Sequence, residues 1–560
     1  MNRIWLVLTA IVTMVPISAA EGPKLSPDLK TKTNNSEFVD VIVQYRTKPG
    51  AAHRNHVARR GGKITTDLSF IKALHASMPT SRVAELAKDP EVVYVSTNRP
   101  IRSTLNNSAG AVLAKYAWSL GLDGKGVGVA VIDSGVHAVD DLRDARIPYK
   151  FDAIGGGTDD QYGHGTHVAG IIAGDAADST CSHCDVAFRG IAPNATIINF
   201  HALDKNGEGT DASVIKAINQ AISVKDIYNI RVMNLSLGRP VFESYTQDPL
   251  CQAVEAAWQA GIVVVAAAGN DGRDNSAGTD GYGTINAPGN DPYVITVGAM
   301  NTKNTPDRGD DVMTSYSSRG PTAIDHIAKP DLVAPGNRVI SLQAGATLVH
   351  RYPQNRPSRH YYQTDVKTGP SDKYFILSGT SMAAPVVSGA VALLLEQNPN
   401  LTPDQVKARL MKTAYKNLPL HTVVTDSTTG VTYNIQADVF TVGAGYLDIQ
   451  AALSDTSVAD MSASSPAVTY DAATGNFYFV NDNSALWGSS ALWGSSAVWG
   501  NGVFVGGQSA LWGSSALWGS SALWGSSATE GFSALWGSSA LWGGSTTLAD
   551  AMNVAVDGDN

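Results

Sequence analysis

Five mostly apolar runs recur along the middle of the chain: VGVAVID (127–133), ATIINF (195–200), VMNLSLG (232–238), IVVVAAAGN (262–270) and YVITVGA (293–299). Stretches of helical periodicity separate them, among them DASVIKAINQAI (211–222) and CQAVEAAWQA (251–260). A strand that is apolar on both faces has to be covered on both faces. Strands of that kind joined by helices lie parallel, because a parallel pair needs a crossover long enough to hold a helix. The expected body is therefore α/β, a doubly wound and mostly parallel sheet with helices on both sides. At 560 residues the chain is too long for one ordinary domain, and roughly two to four units are expected.

The flanks have different rhythms. MNRIWLVLTAIVTMVPISAA (1–20) combines Arg3, an apolar stretch from Ile4 to Pro16 and small residues at Ser18 and Ala20, which reads as a secretory signal. The apolar run is shorter than the ~20 residues that span a bilayer, and no later segment reads as long and apolar enough to do so. Residues 38–102 form a small unit of mixed strand and helix, with FVDVIVQY and EVVYVS as strands and SRVAELAKD as a short helix. Residues 456–483 read as a linker. In 484–545 the unit SALWGS repeats with a six-residue period and carries eight of the 11 tryptophans, from Trp487 to Trp542. Either a low-complexity tail or a β structure built from stacked copies fits that pattern.

Charge and cysteine content narrow the partners. The net charge of −9 argues against nucleic acid, which is met by basic surfaces. The three cysteines leave three pairings open in an oxidising compartment: Cys181 with Cys184, or either of them with Cys251.

Three stretches carry candidate chemistry. VAVIDSGV ends a buried strand on Asp133, and the carboxyl ends of parallel strands are where sites form. YGHGTHVAGIIAG places His164 at a helix start, and SGTSMAAPVVSGA (378–390) places Ser381 at another. A serine hydroxyl attacks well only when an imidazole takes its proton and a buried carboxylate orients that imidazole. Asn270, at the end of IVVVAAAGN, offers a side-chain amide that could join the Ser381 N–H in stabilising an oxyanion. The small residues around Ser381 allow a substrate backbone to approach, and Pro385 is expected near the helix start, where it breaks no backbone bond.

With VIDSGV, GHGTHVAG, GIAPNATI, MNLSLG, VAAAGN, SYSSRGP, KPDLVAPG and GTSMAAP in this order, the chain resembles the subtilisin-like serine proteases across roughly residues 109–455. The order Asp, His, Ser separates it from the α/β-hydrolases and from the chymotrypsin type. The resemblance implies Asp133, His164 and Ser381 as a catalytic triad and Asn270 as the oxyanion donor. It implies Ser236, Leu237 and Gly238, with Ala267, Ala268 and Gly269, as edges that bind the substrate backbone. FVDVIVQY, ALHASMP and DPEVVYVSTNRPI resemble the family's inhibitory propeptide, which implies that residues 38–102 are cut away after about Asn98 to Ser108.

The chain is thus expected to be a secreted serine endopeptidase, acting on proteins or peptides through an acyl-enzyme and made as a self-processed precursor inhibited by its own propeptide. The chemistry needs no cofactor, although structural calcium is frequent in the family. The competing reading is a catalytically inactive surface or adhesion protein working through the Trp-rich tail, which is a candidate for cell-surface attachment or self-association. Two features depart from the family pattern. CSHC (181–184) with His164 and His167 makes an HxxH and CxxC set of a kind that can hold zinc, against a local disulfide or free thiols. The segment from Gln343 to Lys373, rich in His, Tyr, Arg and Pro, is expected as a surface insertion forming one rim of a cleft.

Overall fold

The apolar runs form the strands expected of them. The computed structural model describes residues 24–26, 29, 38–97, 106–276, 278–365, 369–426, 429–471, 476–479, 503–504 and 558–559. They divide into two compact units, 1–101 and 102–560. The signal expected at 1–20 lies outside the described residues, as does the repeat tail of 484–545 apart from 503–504.

The first unit is an antiparallel sheet of β1 (Phe38–Tyr45), β2 (Lys63–Leu68), β3 (Ala73–Pro79) and β4 (Val92–Thr97), in the order β2-β3-β1-β4, with helices α1 (Ala51–Arg59) and α2 (Thr80–Leu86). One face of β1 and β3 supplies Val41, Val43, Leu74, Ala76 and Met78, which pack with Val57 of α1 and with Val83 and Leu86 of α2. This period-two burial is what a half-covered sheet requires.

The second unit holds the large sheet. Strands β5 (Gly128–Asp133), β6 (Tyr149–Asp152), β7 (Thr196–His201), β8 (Ile230–Leu235), β9 (Val263–Ala267) and β10 (Ile295–Asn301) run parallel in the order β10-β9-β8-β5-β7-β6. Beyond β10, β11 (Val312–Met313) pairs antiparallel and β12 (Leu332–Pro335) parallel. Every residue of β5, β9 and β10 is buried, so helices cover both faces. The chain leaves β5 first for one side of the sheet and then for the other. The crevice of a doubly wound sheet therefore opens at the carboxyl end of β5, where Asp133 sits.

Helices α3 (His164–Ala173) and α6 (Thr380–Gln397) pack on each other, as do α4 (Asp211–Val224) and α5 (Pro249–Gln259). α6 crosses β8, β9, β10 and β12 and has the length and mean hydropathy, 1.2, of a membrane span, contrary to the reading that no segment after residue 20 is apolar enough. It is 83% buried inside the unit, so its apolar residues are core.

Two further segments differ from expectation or refine it. Residues 456–483 are not a free linker throughout: Ser465 N donates to the Pro292 carbonyl, and Ser465 Oγ accepts from buried Lys407 Nζ (2.9 Å) and donates to Asp331 (2.5 Å). Ala328 N and Val468 N add backbone bonds, to Pro466 and His326 respectively. The excursion 343–373 joins β13 (Val339–Leu342) to β14 (Tyr374–Leu377), and it is pinned where Thr347 N and Leu348 N donate to the carbonyls of Gln161 and Tyr162, just ahead of α3.

The seating of α3 on β5 depends on one close approach. A Cβ on Gly165 would lie 2.1 Å from the Gly135 carbonyl oxygen and 3.1 Å from Asp133 Cβ. Gly165→Ala should therefore push α3 off the strand end, costing about 1–3 kcal/mol as an overpacked contact and removing most peptide hydrolysis. Calorimetry and an assay both at wild-type values would contradict this packing.

Candidate active site

Asp133, the last residue of β5, is fully buried. Its Oδ1 accepts the N–H of Ser134 at 2.7 Å and meets His164 Nδ1 at 2.8 Å. A carboxylate at that distance requires the proton on Nδ1, which leaves Nε2 as the basic nitrogen of a neutral ring. His164 opens α3 directly after Gly163, whose φ is 105°. A Cβ at Gly163 would come within 2.3 Å of the Ala344 carbonyl oxygen, so glycine is needed for both conformation and space.

Asp160, four residues before His164, fixes this turn. Only 2% exposed, it accepts from Ser134 Oγ, Tyr162 N and Gly163 N on Oδ1, and from Thr166 N and Oγ1 on Oδ2, at 2.7–3.1 Å. Burial pushes its pKa up to about 6 against the pull of these donors.

Ser381 is the second residue of α6, behind Gly379 with φ of 142°. Asn270 Oδ1 accepts from Thr380 N (2.9 Å) and Thr380 Oγ1 (3.1 Å), so the free face of that side chain is its amide nitrogen. A Cβ on Gly379 would stand 3.2 Å from this Nδ2, and glycine keeps the space beside the amide open.

Pro385 lies inside α6, one turn beyond Ser381, and not at the helix start. Lacking an N–H, it leaves the Ser381 carbonyl without its helical donor. Ser236 Oγ donates to that carbonyl at 2.7 Å and accepts from Asn234 Nδ2, while Asn234 Oδ1 accepts from Ser388 Oγ. A buried polar chain from β8 thus replaces the missing backbone bond. His164 and Ser381 stand on helices that pack together. Their side chains share no hydrogen bond among the described residues.

The two expected edges differ in availability. Ala268 N donates to Val297 and its carbonyl accepts from Asn286 N; Gly269 N donates to Thr380 Oγ1 and its carbonyl accepts from Ser318 N. With 5% exposed Ala267 they form a wall, not the open edge expected of all three. Of the other segment, Ser236 is buried, and Leu237 and Gly238 reach solvent.

Burial lowers the His164 pKa, and the charge and hydrogen bond of Asp133 more than reverse this, leaving it above 6.5. His167, fully buried, goes the other way: burial first, then the charge of His164, lower it to about 3. Its Nε2 stands 3.1 Å from the carbonyl oxygens of Val339 and Phe375, which makes it a neutral donor within the core. Cys181 and Cys184 form a disulfide, and Cys251 is buried and free. The HxxH and CxxC pairs therefore do not converge as zinc ligands, and among the described residues no group of three or more His, Cys, Asp or Glu is arranged to hold a metal.

Residues 124–445 match the Peptidase S8 subtilase family, a span that contains all of these groups. The chain belongs to the subtilase family. It is 35% identical over 396 residues to the serine protease AprX of Bacillus subtilis, covering 68% of this chain and 84% of that protein. Its identity to subtilisin E of the same species is 30% over 421 residues, covering 74% and 94%. Against the minor extracellular protease Epr it is 28% over 396 residues, covering 68% and 51%. The protein is a subtilisin-like serine endopeptidase.

Three participants in this subtilase site escape a reading of the sequence: Asp160, Thr380 and the hydroxyl of Ser236. Asp160 lies close enough to His164 in DDQYGHGTH for proximity to hint at it, whereas the other two act across 110 and 145 residues. Asp133→Asn should remove the charge that raises the His164 pKa, so burial prevails and the imidazole titrates below 6.5. An NMR titration showing an unchanged or higher value would contradict the electrostatic account.

Proposed function

We propose that the chain is a secreted subtilase, made as a precursor, whose triad is Asp133, His164 and Ser381 and whose oxyanion donors are Asn270 Nδ2 and Ser381 N–H. The observation that supports this most is the 2.8 Å contact between Asp133 and His164 Nδ1 at the sheet's switch point. In this reading His164 Nε2 takes the Ser381 Oγ proton as the oxygen attacks the scissile carbonyl, and later passes it to the leaving amine. The negative charge on the carbonyl oxygen develops between two N–H donors already held in place, one of them at a helix N-terminus. The substrate backbone lies along Leu237–Gly238, with the 267–269 wall flanking the residue before the scissile bond.

Residues 38–102 act as the enzyme's own inhibitory segment, and the tail after the catalytic unit serves attachment or self-association. Secretion is supported by the N-terminal sequence and by the extracellular relative Epr.

The raised His164 pKa fixes the sign of the pH dependence. The neutral ring that can accept a proton disappears as pH falls, so kcat/KM should drop along an acid limb centred above 6.5. Stability runs the opposite way: the charged His164–Asp133 pair adds stability below the unfolded pKa of about 6.5, and this is lost as pH rises through the folded value.

Ser381→Ala should abolish hydrolysis and accumulate as a chain with residues 38–102 still attached. Normal processing of the purified mutant by itself would refute self-cleavage. Asn270→Ala should lower kcat with little change in KM, by about 10²–10³, a magnitude carried over from the loss established for the oxyanion-hole asparagine of subtilisin itself. A change confined to KM would place Asn270 in ground-state binding instead.

A further inference from the structure

Beyond the repeats, Gly558 and Asp559 lie in the same unit as the catalytic sheet and are buried in it, Asp559 being 4% exposed. The contacts are those of a ligand in a fitted site. Asp559 Oδ1 accepts from Arg273 Nη2 (2.8 Å) and Ser315 Oγ (2.6 Å), and Oδ2 accepts from Ser315 N (2.7 Å). The side-chain amide of Asn337 clamps the backbone of the same residue: Asp559 N donates to Oδ1, and Nδ2 donates to the Asp559 carbonyl, both at 2.8 Å. Asn301 Nδ2 adds a longer contact of 3.4 Å to that carbonyl, and Arg273 Nη2 one of 3.5 Å to the carbonyl of Gly558.

Each element of this socket selects. Arg273 is oriented by Asp426 at 2.6 Å and by Ser315 Oγ at 2.8 Å, so its guanidinium is held in place from the body side. Charge-assisted bonds to a buried carboxylate are strong and directional, and an amide in its place would lose at least one acceptor. Gly558 has φ of 61°, and a Cβ there would fall 2.4 Å from both Asn337 Oδ1 and Ser378 Oγ. The recognised unit is therefore Gly-Asp, read by charge at Asp559 and by the absence of a side chain at Gly558.

We propose that this is a dedicated binding site for the Gly558–Asp559 segment, which holds the far side of the Trp-rich tail on the catalytic unit without a covalent bond. The near side is held separately by residues 465–468 through Ser465, Pro466 and Val468. A tail fixed at both sides stays on the enzyme when it is cut between them, so cleavage within the repeats converts a covalent tail into a bound one.

The test uses the full chain carrying Ser381→Ala, with a recognition sequence for a specific protease inserted between residues 545 and 550. After cutting, gel filtration with intact-mass analysis should find the fragment containing Asp559 co-eluting with the body. An excess of synthetic peptide 553–560 should displace it, and the same peptide with Asp559→Asn should compete roughly 10- to 100-fold more weakly. Asp559→Ala in the cut chain should release the fragment. Separation of the unaltered fragment on cutting, equal competition by the two peptides, or retention of the Asp559→Ala fragment would each overturn the proposal. Because every arm uses a chain without the nucleophile, failure here is independent of the catalytic reading.

Discussion

A single buried carboxylate organises the catalytic unit. Asp133 has no exposure to water at the end of the central strand, and a charge so placed needs donors close by. Ser134 N and His164 Nδ1 supply them. That arrangement exists only because α3 can approach the strand end, which requires glycine at 165, and because Asp160 gathers five donors from Ser134, the turn before α3 and Thr166. Remove the Asp133 carboxylate and neither the tautomer nor the raised pKa of His164 follows.

The setting of Ser381 rests on a different compromise. Pro385 stops the Ser381 carbonyl from being used inside α6, and the Asn234–Ser236–Ser388 chain takes it over from β8. The helix start is thereby tied to the sheet beneath it, while Thr380 ties it to Asn270 on the neighbouring strand end. Smallness around Ser381 serves two purposes here. Gly379 leaves room beside the Asn270 amide, and the buried alanines that follow let α6 lie flat on the strands.

What can be read from the sequence follows from the range of the interactions. Two-sided apolar runs, separated by stretches of helical periodicity, declare parallel strands and their crossovers locally. Asp133, His164, Asn270 and Ser381 are visible because each lies at or just beyond a strand end, or in the first turn of a helix, within a distinctive short motif. Their partners are less so: Asp160 is marked only by its closeness to His164, and Thr380 and the hydroxyl of Ser236 become significant only once strand order brings distant segments together. Residues 456–483 have a linker's composition, yet Ser465 meets Lys407 and Asp331, two buried charges more than fifty residues away. Gly558 and Asp559 stay hidden for the same reason, since nothing local marks a lone Gly-Asp as the partner of Arg273. Pro385 reads as a helix-start residue because the compensating Ser236 hydroxyl lies far earlier in the chain, 145 residues before Ser381.

In the proposed mechanism, Ser381 is made nucleophilic by a His164 that Asp133 holds in one tautomer. Peptide mapping after incubation with a phosphonate ester electrophile tests this most directly. One adduct per chain is expected, on Ser381 Oγ, forming faster as pH rises through the raised His164 pKa. An adduct on another residue, or labelling of Ser381 at a rate indifferent to pH across that range, would contradict it.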